Sequence, residues 1–475
     1  MPRYSGFQMK LKPWGHQLKA LKFLYKRNRG ALYTAPGSGK TKVMIDLIVN
    51  RGWKRVLVVA PKAACKNVWV DEILMHSDIP RENIMMMVDL SGKAKALLLK
   101  SFKKPEEDEG TTIFICNYES VWMEPVRRVW FYKKLALDCV ICDESHKIKS
   151  PGGKASGFLA QLGKAVQCCY AMTGTPLAER PEDVYAQYRF IDRSIFGTNY
   201  EEFEARYVNI DLKASAGKSY TVKDKKQPYK NLEELREKMF SCAFSMPPTI
   251  RLPDTNSMTV EIPMPVELAR IYTGLREEGA AELGEGFLTI DNVLAQAIRL
   301  QQVTSGYLAL ENDAGEKWLE RISTYRRTAL LKYLRGIPES EPIVVFARFK
   351  KDLFSIRKVA ERLGQGYSEV SGREDTLADW KAGKTRIIGV QYGSGAESIN
   401  LTRSHICIFY SLDESLAKYD QAVKRIHRPG QKKPCLYVHF AATMPGIETV
   451  DQKMMRSVET KKSLVEAIMN GEETF

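Results

Sequence analysis

The stretch Thr34-Ala-Pro-Gly-Ser-Gly-Lys-Thr41 sets glycines, a lysine and a hydroxyl in the order that grips phosphate. Gly37 and Gly39 let the backbone amides, that of Ser38 among them, curl around phosphate oxygens. A helix starting there adds partial positive charge. Lys40 would meet the β- and γ-phosphates of a nucleotide, and the Thr41 hydroxyl would hold magnesium. The general pattern has glycine at position 34, where this chain has threonine. A plain glycine turn ahead of a helix is the competing reading.

Asp143 and Glu144 follow an apolar run that ends at Cys142, so both carboxylates should leave a strand at the C-terminal edge of a sheet. Asp143 suits magnesium, mostly through water, and Glu144 suits polarising an attacking water. Alone, such a pair is ordinary solvated surface; a phosphate loop earlier in the chain changes its meaning. His146 has no partner ligand at metal spacing and should link this site to neighbouring loops. Near the other end, Gln421, Arg425 and Arg428 are spaced so that a continuing helix would turn all three to one side. Guanidinium groups there would neutralise charge growing on a transferred phosphoryl group. Read in isolation, a basic helix end faces solvent or a phosphate backbone.

The elements that must position these groups show as short β-branched runs between helical stretches. Arg55–Ala60, Thr111–Cys116, Leu137–Cys142 and Val166–Ala171 predict one parallel sheet covered on both faces. Pro342–Phe346, Thr385–Val390, His405–Tyr410 and Cys435–Phe440 predict a second. Between them, Asn231–Met239 and Asn292–Gln302 read as helices, and the lysine-rich Lys213–Lys226 reads as a flexible basic loop, with a DNA contact there an equal alternative. The expected division is 1–193, 194–325 and 326–475.

Composition narrows the class. At 475 residues the chain exceeds one core and suits two or three domains. With 44% hydrophobic and 27% charged residues it reads as globular and ordered. Its formal charge of +15 favours a polyanionic partner, most often nucleic acid. Cys139 and Cys142 form a CxxC inside a strand, where residues three apart face opposite ways and cannot share a metal. Buried thiols in a reducing cytoplasm are the expectation. The N-terminus has no apolar signal region and no run is long enough to span a bilayer, so a cytoplasmic protein without membrane contact is expected, nuclear if eukaryotic.

Together the motifs resemble those of superfamily 2 helicases and, within them, the Snf2 family of double-stranded DNA translocases. Leu11-Lys-Pro-Trp-Gly-His-Gln17 is similar to the family's adenine-recognition segment, which implies that Gln17 reads the adenine edge and Trp14 packs nearby. Val59–Lys62, Asn117–Glu119, Asp143–His146, Thr173–Leu177, Val344–Phe349, Tyr392–Thr402 and Gln421–Gln431 resemble successive family motifs. Ser145, Ser394 and Ser398 depart from the commonest forms. The likeness runs from residue 11 to about 440, and the build, almost all motor, looks like the small bacterial and phage members.

The resemblance implies two RecA-like α/β lobes with helical insertions between them, and ATP with magnesium in the cleft. It implies nucleotide contacts from Gln421, catalysis by Lys40, Asp143, Glu144, Arg425 and Arg428, and coupling through His146, Thr173, Thr175 and Gly395. Lys62, Tyr118, Arg348, Ser371 and Thr402 are the implied DNA contacts, made mainly to phosphates. The expected activity is ATP-driven translocation on double-stranded DNA, remodelling DNA or displacing bound proteins, with branched or single-stranded DNA and protein partners left open. A strand-separating DNA or RNA helicase is the alternative enzyme, and an ATP-gated DNA clamp the alternative outside enzymes. The clamp is disfavoured because Lys40, Asp143, Glu144, Arg425 and Arg428 are all present.

Overall fold

The computed structural model describes residues 2–94, 97, 110–123, 135–215, 218–224, 227–246, 252–283, 286–289, 293–312, 315–392 and 399–470. The chain divides into two units, Met1–Arg251 with Lys462–Phe475, and Leu252–Lys461.

The first unit is built on seven strands: β1 (Arg29–Tyr33), β2 (Arg55–Ala60), β3 (Ile84–Met86), β4 (Thr112–Asn117), β5 (Cys139–Asp143), β6 (Cys168–Thr173) and β7 (Ala243–Ser245). They lie in the order β7-β1-β6-β5-β2-β4-β3 and every pairing is parallel. Strands buried on both faces need no polar alternation, which is why they read as continuous apolar runs. In β5, Cys139 and Ile141 join the core on one face while Val140 and Cys142 join the core on the other. The CxxC is therefore split across the sheet, and all nine cysteines are buried and free.

The second unit repeats the plan with β8 (Thr255–Pro263), β9 (Ile343–Ala347), β10 (Tyr367–Val370), β11 (Ile387–Gln391), β12 (Ile406–Phe409) and β13 (Cys435–Thr443). Their order is β8-β13-β12-β9-β11-β10, again all parallel. Ile343, Val345 and Ala347 face one core; Val344 and Phe346 face the other. The fold is thus two RecA-like parallel-sheet lobes, as the resemblance implied.

The stretch 194–325 holds strands as well as the expected helices Leu232–Phe240 and Val293–Thr304. Strands β7 and β8 leave it to extend the two main sheets. Ala280–Leu283, Gly286–Thr289, Tyr307–Glu311 and Lys317–Arg321 form a separate antiparallel sheet. The lysine-rich stretch predicted as a flexible loop is largely a hairpin, Ile210–Ser215 paired with Lys218–Lys223. Its strands carry Tyr220, Thr221 and Val222, a local β preference that the lysines masked in the sequence. No helix among the described residues is long and apolar enough to cross a membrane.

Candidate active site

Parallel sheets present their loops at the C-terminal ends of the strands, and strand order decides which loops become neighbours. In the first unit β6 lies between β1 and β5. The Thr34–Thr41 loop after β1, the Thr173–Leu177 loop after β6 and the acidic pair after β5 are therefore side by side. Residues more than a hundred positions apart in sequence meet here because of strand order.

The loop enters helix α2 (Lys40–Arg51) through Gly39, at φ +76, and Gly37 is at φ +80. Both are in the left-handed region that glycine tolerates. Thr34 needs no such freedom. Its hydroxyl is 2.8 Å from that of Ser38 and closes the loop, which accounts for threonine where the general pattern has glycine. Lys40 is buried, its Nζ donating to the carbonyls of Thr34 at 3.0 Å and Ala35 at 3.4 Å. Phosphate oxygens would take over those acceptor positions.

Helix α1 (Gly15–Tyr25) brings the adenine-segment residues against this loop. The Gln17 amide donates to the Ser38 carbonyl at 3.2 Å, and its oxygen accepts from the Trp14 amide at 2.8 Å. His16 Nε2 lies 2.8 Å from the same Ser38 carbonyl, and Trp14 is 45% exposed beside it. Gln17 thus ties the start of its own helix to the phosphate loop, one end of its side-chain amide on Trp14 and the other on Ser38.

Asp143 ends β5 in a buried position, with Oδ2 accepting from Trp69 Nε1 at 2.9 Å and its backbone carbonyl from the Tyr118 hydroxyl at 2.6 Å. Glu144 sits at φ +50, a strained setting for a residue with a Cβ and one often found at functional sites. Its Oε2 accepts from the Thr173 hydroxyl at 3.1 Å and lies 3.3 Å from His146 Nδ1. That nitrogen is 2.9 Å from Thr173 Oγ1 and 3.4 Å from Thr175 Oγ1, and the Thr175 amide donates to Thr173 Oγ1 at 3.1 Å. With its proton on Glu144, the Thr173 oxygen takes the Thr175 N–H and is left to accept from His146, which assigns the ring proton to Nδ1.

The two carboxyls are driven apart. Burial and the neighbouring Glu144 charge push Asp143 up, against the pull of the Trp69 N–H and Lys40. Glu144 goes down: burial opposes its ionisation, but His146, Lys40 and Thr173 outweigh it. An ionised Glu144 accepts hydrogen bonds and can orient a water; it is a poor early proton acceptor.

In the second unit, helix α3 (Leu416–Ile426) carries Gln421 and Arg425, one turn apart and both partly buried. Arg428 does not continue that face, contrary to the helical spacing expected. The helix ends at Ile426, because Arg428 precedes Pro429 and the proline ring disfavours helical backbone before it. Arg428 Nη1 donates to the Ile399 carbonyl at 3.4 Å, and burial lowers its pKa. Gln431 then staples the turn: its Nε2 donates to the Ser404 carbonyl at 2.8 Å, and its Oε1 accepts from Lys432 and Lys433 amides at 2.9 and 3.0 Å.

The residue spans of two family domains decide what this scaffold is. The SNF2-related domain matches residues 16–306, and the helicase conserved C-terminal domain matches 326–430. The chain belongs to the SNF2-related family. This SNF2-related protein is a nucleic-acid-dependent ATPase with a helicase-like motor. It is 24% identical to protein p41 of Acyrthosiphon pisum secondary endosymbiont phage 1, over 97% of this chain and 98% of the relative. It is 20% identical to the ATP-dependent helicase YqhH of Bacillus subtilis, over 99% of this chain and 82% of the relative. Likeness to the DNA repair and recombination protein RDH54 of Saccharomyces cerevisiae is 21% over 88% of this chain, but spans only 47% of that relative.

Among the residues expected to touch DNA, Tyr118 is corrected by its burial: at 5% exposure, with its hydroxyl on Asp143, it belongs to the nucleotide side. Lys62 is exposed and ion-paired with Asp89 at 3.1 Å. Arg348 hydrogen-bonds Gln301, Ser371 donates to Glu369 at 2.6 Å, and Thr402 donates to Asn400 at 2.8 Å. Gly395 lies outside the described residues of this SNF2-related ATPase.

One support, Gln187, lies outside the motifs; another, Trp69, follows Val59–Lys62 in a segment that resembles a family motif. Trp69 orients Asp143, and Gln187, fully buried, accepts from Ser145 Oγ at 2.7 Å while donating to the Pro176 carbonyl at 2.7 Å. The unusual Ser145 thus ties the acidic loop to the Thr173 loop. A glutamine four residues after Asp183, among the aromatic and apolar residues of Asp183–Ile191, was the signal.

Proposed function

We propose that this ATPase translocates along double-stranded DNA, with residues 1–193 binding nucleotide, 326–475 supplying Gln421, Arg425 and Arg428, and 194–325 inserted between. The observation that carries the reading is the Thr173 hydroxyl, which joins Glu144 to His146 between the phosphate-loop strand and the acidic strand. It gives the nucleotide site a connection to the loop whose family counterpart faces the nucleic-acid track. The +15 charge and the DNA repair role named for RDH54 favour DNA as the track. The phage and bacterial relatives favour a bacterial or phage-infected cytoplasm.

Asp143 and Thr41 offer a carboxylate and a hydroxyl, the hard oxygen donors that magnesium takes alongside substrate phosphates. Bound there with ATP, the ion would screen charge on the phosphates. Lys40 grips the β- and γ-phosphates, the ionised Glu144 aims the attacking water, and Arg425 and Arg428 neutralise charge on the transferred group. Closure and reopening of the lobes would then move the motor along a strand. Lys62, Arg348, Ser371 and Thr402 are the proposed phosphate contacts.

Displacement of a third strand from a triplex by the wild type, and not by Glu144→Gln, tests the proposal. Hydrolysis without displacement on any duplex would remove translocation from it.

A further inference from the structure

Helices α4 (Tyr325–Arg335) and α5 (Lys350–Arg362) cover the same face of the second sheet, burying Leu330, Leu334, Leu353 and Ile356 in one core. Their outer sides leave a cavity of about 190 Å³ between them. Leu331 and Val359 form its floor, and its rim carries Arg327, Lys358, Arg362 and the Thr328 hydroxyl, with no carboxylate. Glu361 nearby pairs with Lys358 at 2.6 Å on the exposed surface, where such pairs are weak and yield to a competing anion.

Lys358 also belongs to a second feature. Its Nζ lies 5.5 Å from the centroid of Phe354, one helical turn earlier, and that ring is 39% exposed. The Arg321 guanidinium lies 5.8 Å from the same centroid and is anchored 5.0 Å from the ring of buried Tyr307. The Tyr307 hydroxyl in turn contacts Ser355 Oγ at 2.9 Å, which fixes that strand against α5. This part-exposed ring, with two cations nearby, shares Lys358 with the cationic cavity and is not among the residues of the second unit's core clusters.

The geometry points to a second nucleic-acid contact here, which takes a single-stranded segment: phosphates at Arg327, Lys358 and Arg362, and an unpaired base on Phe354. Paired bases in a duplex are already stacked and have no free face for the ring, whereas every unpaired base has one. The contact rests on the protein's dependence on nucleic acid, not on duplex translocation. None of its residues belongs to the nucleotide site, so duplex-stimulated hydrolysis should survive its removal.

The test measures binding of fluorescein-labelled oligo-dT and of a blunt duplex to the full-length chain across a salt series. The variants are Phe354→Ala and the pair Arg327→Ala with Arg362→Ala; circular dichroism and duplex-stimulated hydrolysis confirm that each is folded. Phe354→Ala should weaken oligo-dT binding at least about fivefold, the lower end for a stacked base, and leave the duplex within about twofold. The arginine pair should reduce the single-strand salt slope by about 1.4, the value for two lost phosphate contacts. Unchanged oligo-dT affinity and slope in folded variants would overturn the inference. An equal loss for duplex and oligo-dT, or competition by poly-glutamate as strong as by unlabelled oligo-dT, would also overturn it, because the patch would then read charge without bases.

Discussion

The Thr173 hydroxyl donates to Glu144 Oε2 at 3.1 Å and lies 2.9 Å from His146 Nδ1. One oxygen thus holds both the Glu144 carboxylate, proposed to orient the attacking water, and the His146 ring. Thr173→Val keeps the shape and removes every one of these bonds. DNA-stimulated kcat should fall about 10- to 100-fold, the range for losing a hydrogen bond to an ionised group, with ATP affinity within about threefold. Thr173→Ser should restore turnover. Wild-type turnover in the valine variant would reduce Thr173 to packing.

Gly39 combines a left-handed backbone with contact to α1. A Cβ there would lie 2.1 Å from Gln17 Nε2, and φ is +76. Gly39→Ala should therefore pay about 1–2 kcal/mol of backbone strain and also dislodge Gln17 from Ser38. Binding of a fluorescent ATP analogue should drop at least about tenfold. An analogue affinity equal to wild type would show that the loop accepts the methyl group by moving α1.

Much of this architecture is legible in the sequence because the central strands are continuous apolar runs; Arg55–Ala60 is read without error. The edge strands are not. Thr255–Pro263 pairs with β13 along its whole length, yet its residues are mostly exposed and polar, with no pattern to mark them. In the site, the phosphate loop and acidic pair are visible because glycine, lysine and carboxylates carry chemistry in themselves. Trp69 and Gln187 act through tertiary contacts that only strand order creates. Pro429, directly after Arg428, is the residue in the sequence that marks the helix end before it.

Asp352 predicts a pH dependence of stability in the second unit. It is fully buried, accepts from Ser411 Oγ at 2.6 Å, and burial pushes it up to about 6 against the pull of Ser411 and Arg326. Its unfolded value is about 3.9. Between these values the folded chain holds a proton that the unfolded chain has lost, so this contribution is full below about pH 4 and is lost as pH rises through about 6. Relative to Asp352→Asn, the wild type should lose about 3 kcal/mol between pH 4 and pH 8 in urea unfolding. A constant difference across that range would place a charged, compensated Asp352 in the fold at every pH.

Arg425 and Arg428 should behave differently because only Arg425 is on the helix. Arg428→Ala should leave ATP affinity nearly intact and cut DNA-stimulated turnover by about 1,000-fold or more, the scale of an arginine finger. Arg428→Lys should rescue little, because a single ammonium cannot reproduce the planar fork. Full stimulated activity in Arg428→Ala would make this residue a brace for the Ile399 carbonyl alone.

The most direct test of duplex-driven motor activity is steady-state ATP hydrolysis, alone and with blunt duplex DNA, single-stranded DNA or single-stranded RNA, against Glu144→Gln as control. Blunt duplex should stimulate hydrolysis most, with Glu144→Gln inactive on every substrate. Stimulation mainly by single strands, with blunt duplex inert, would contradict duplex translocation and describe a strand-separating helicase.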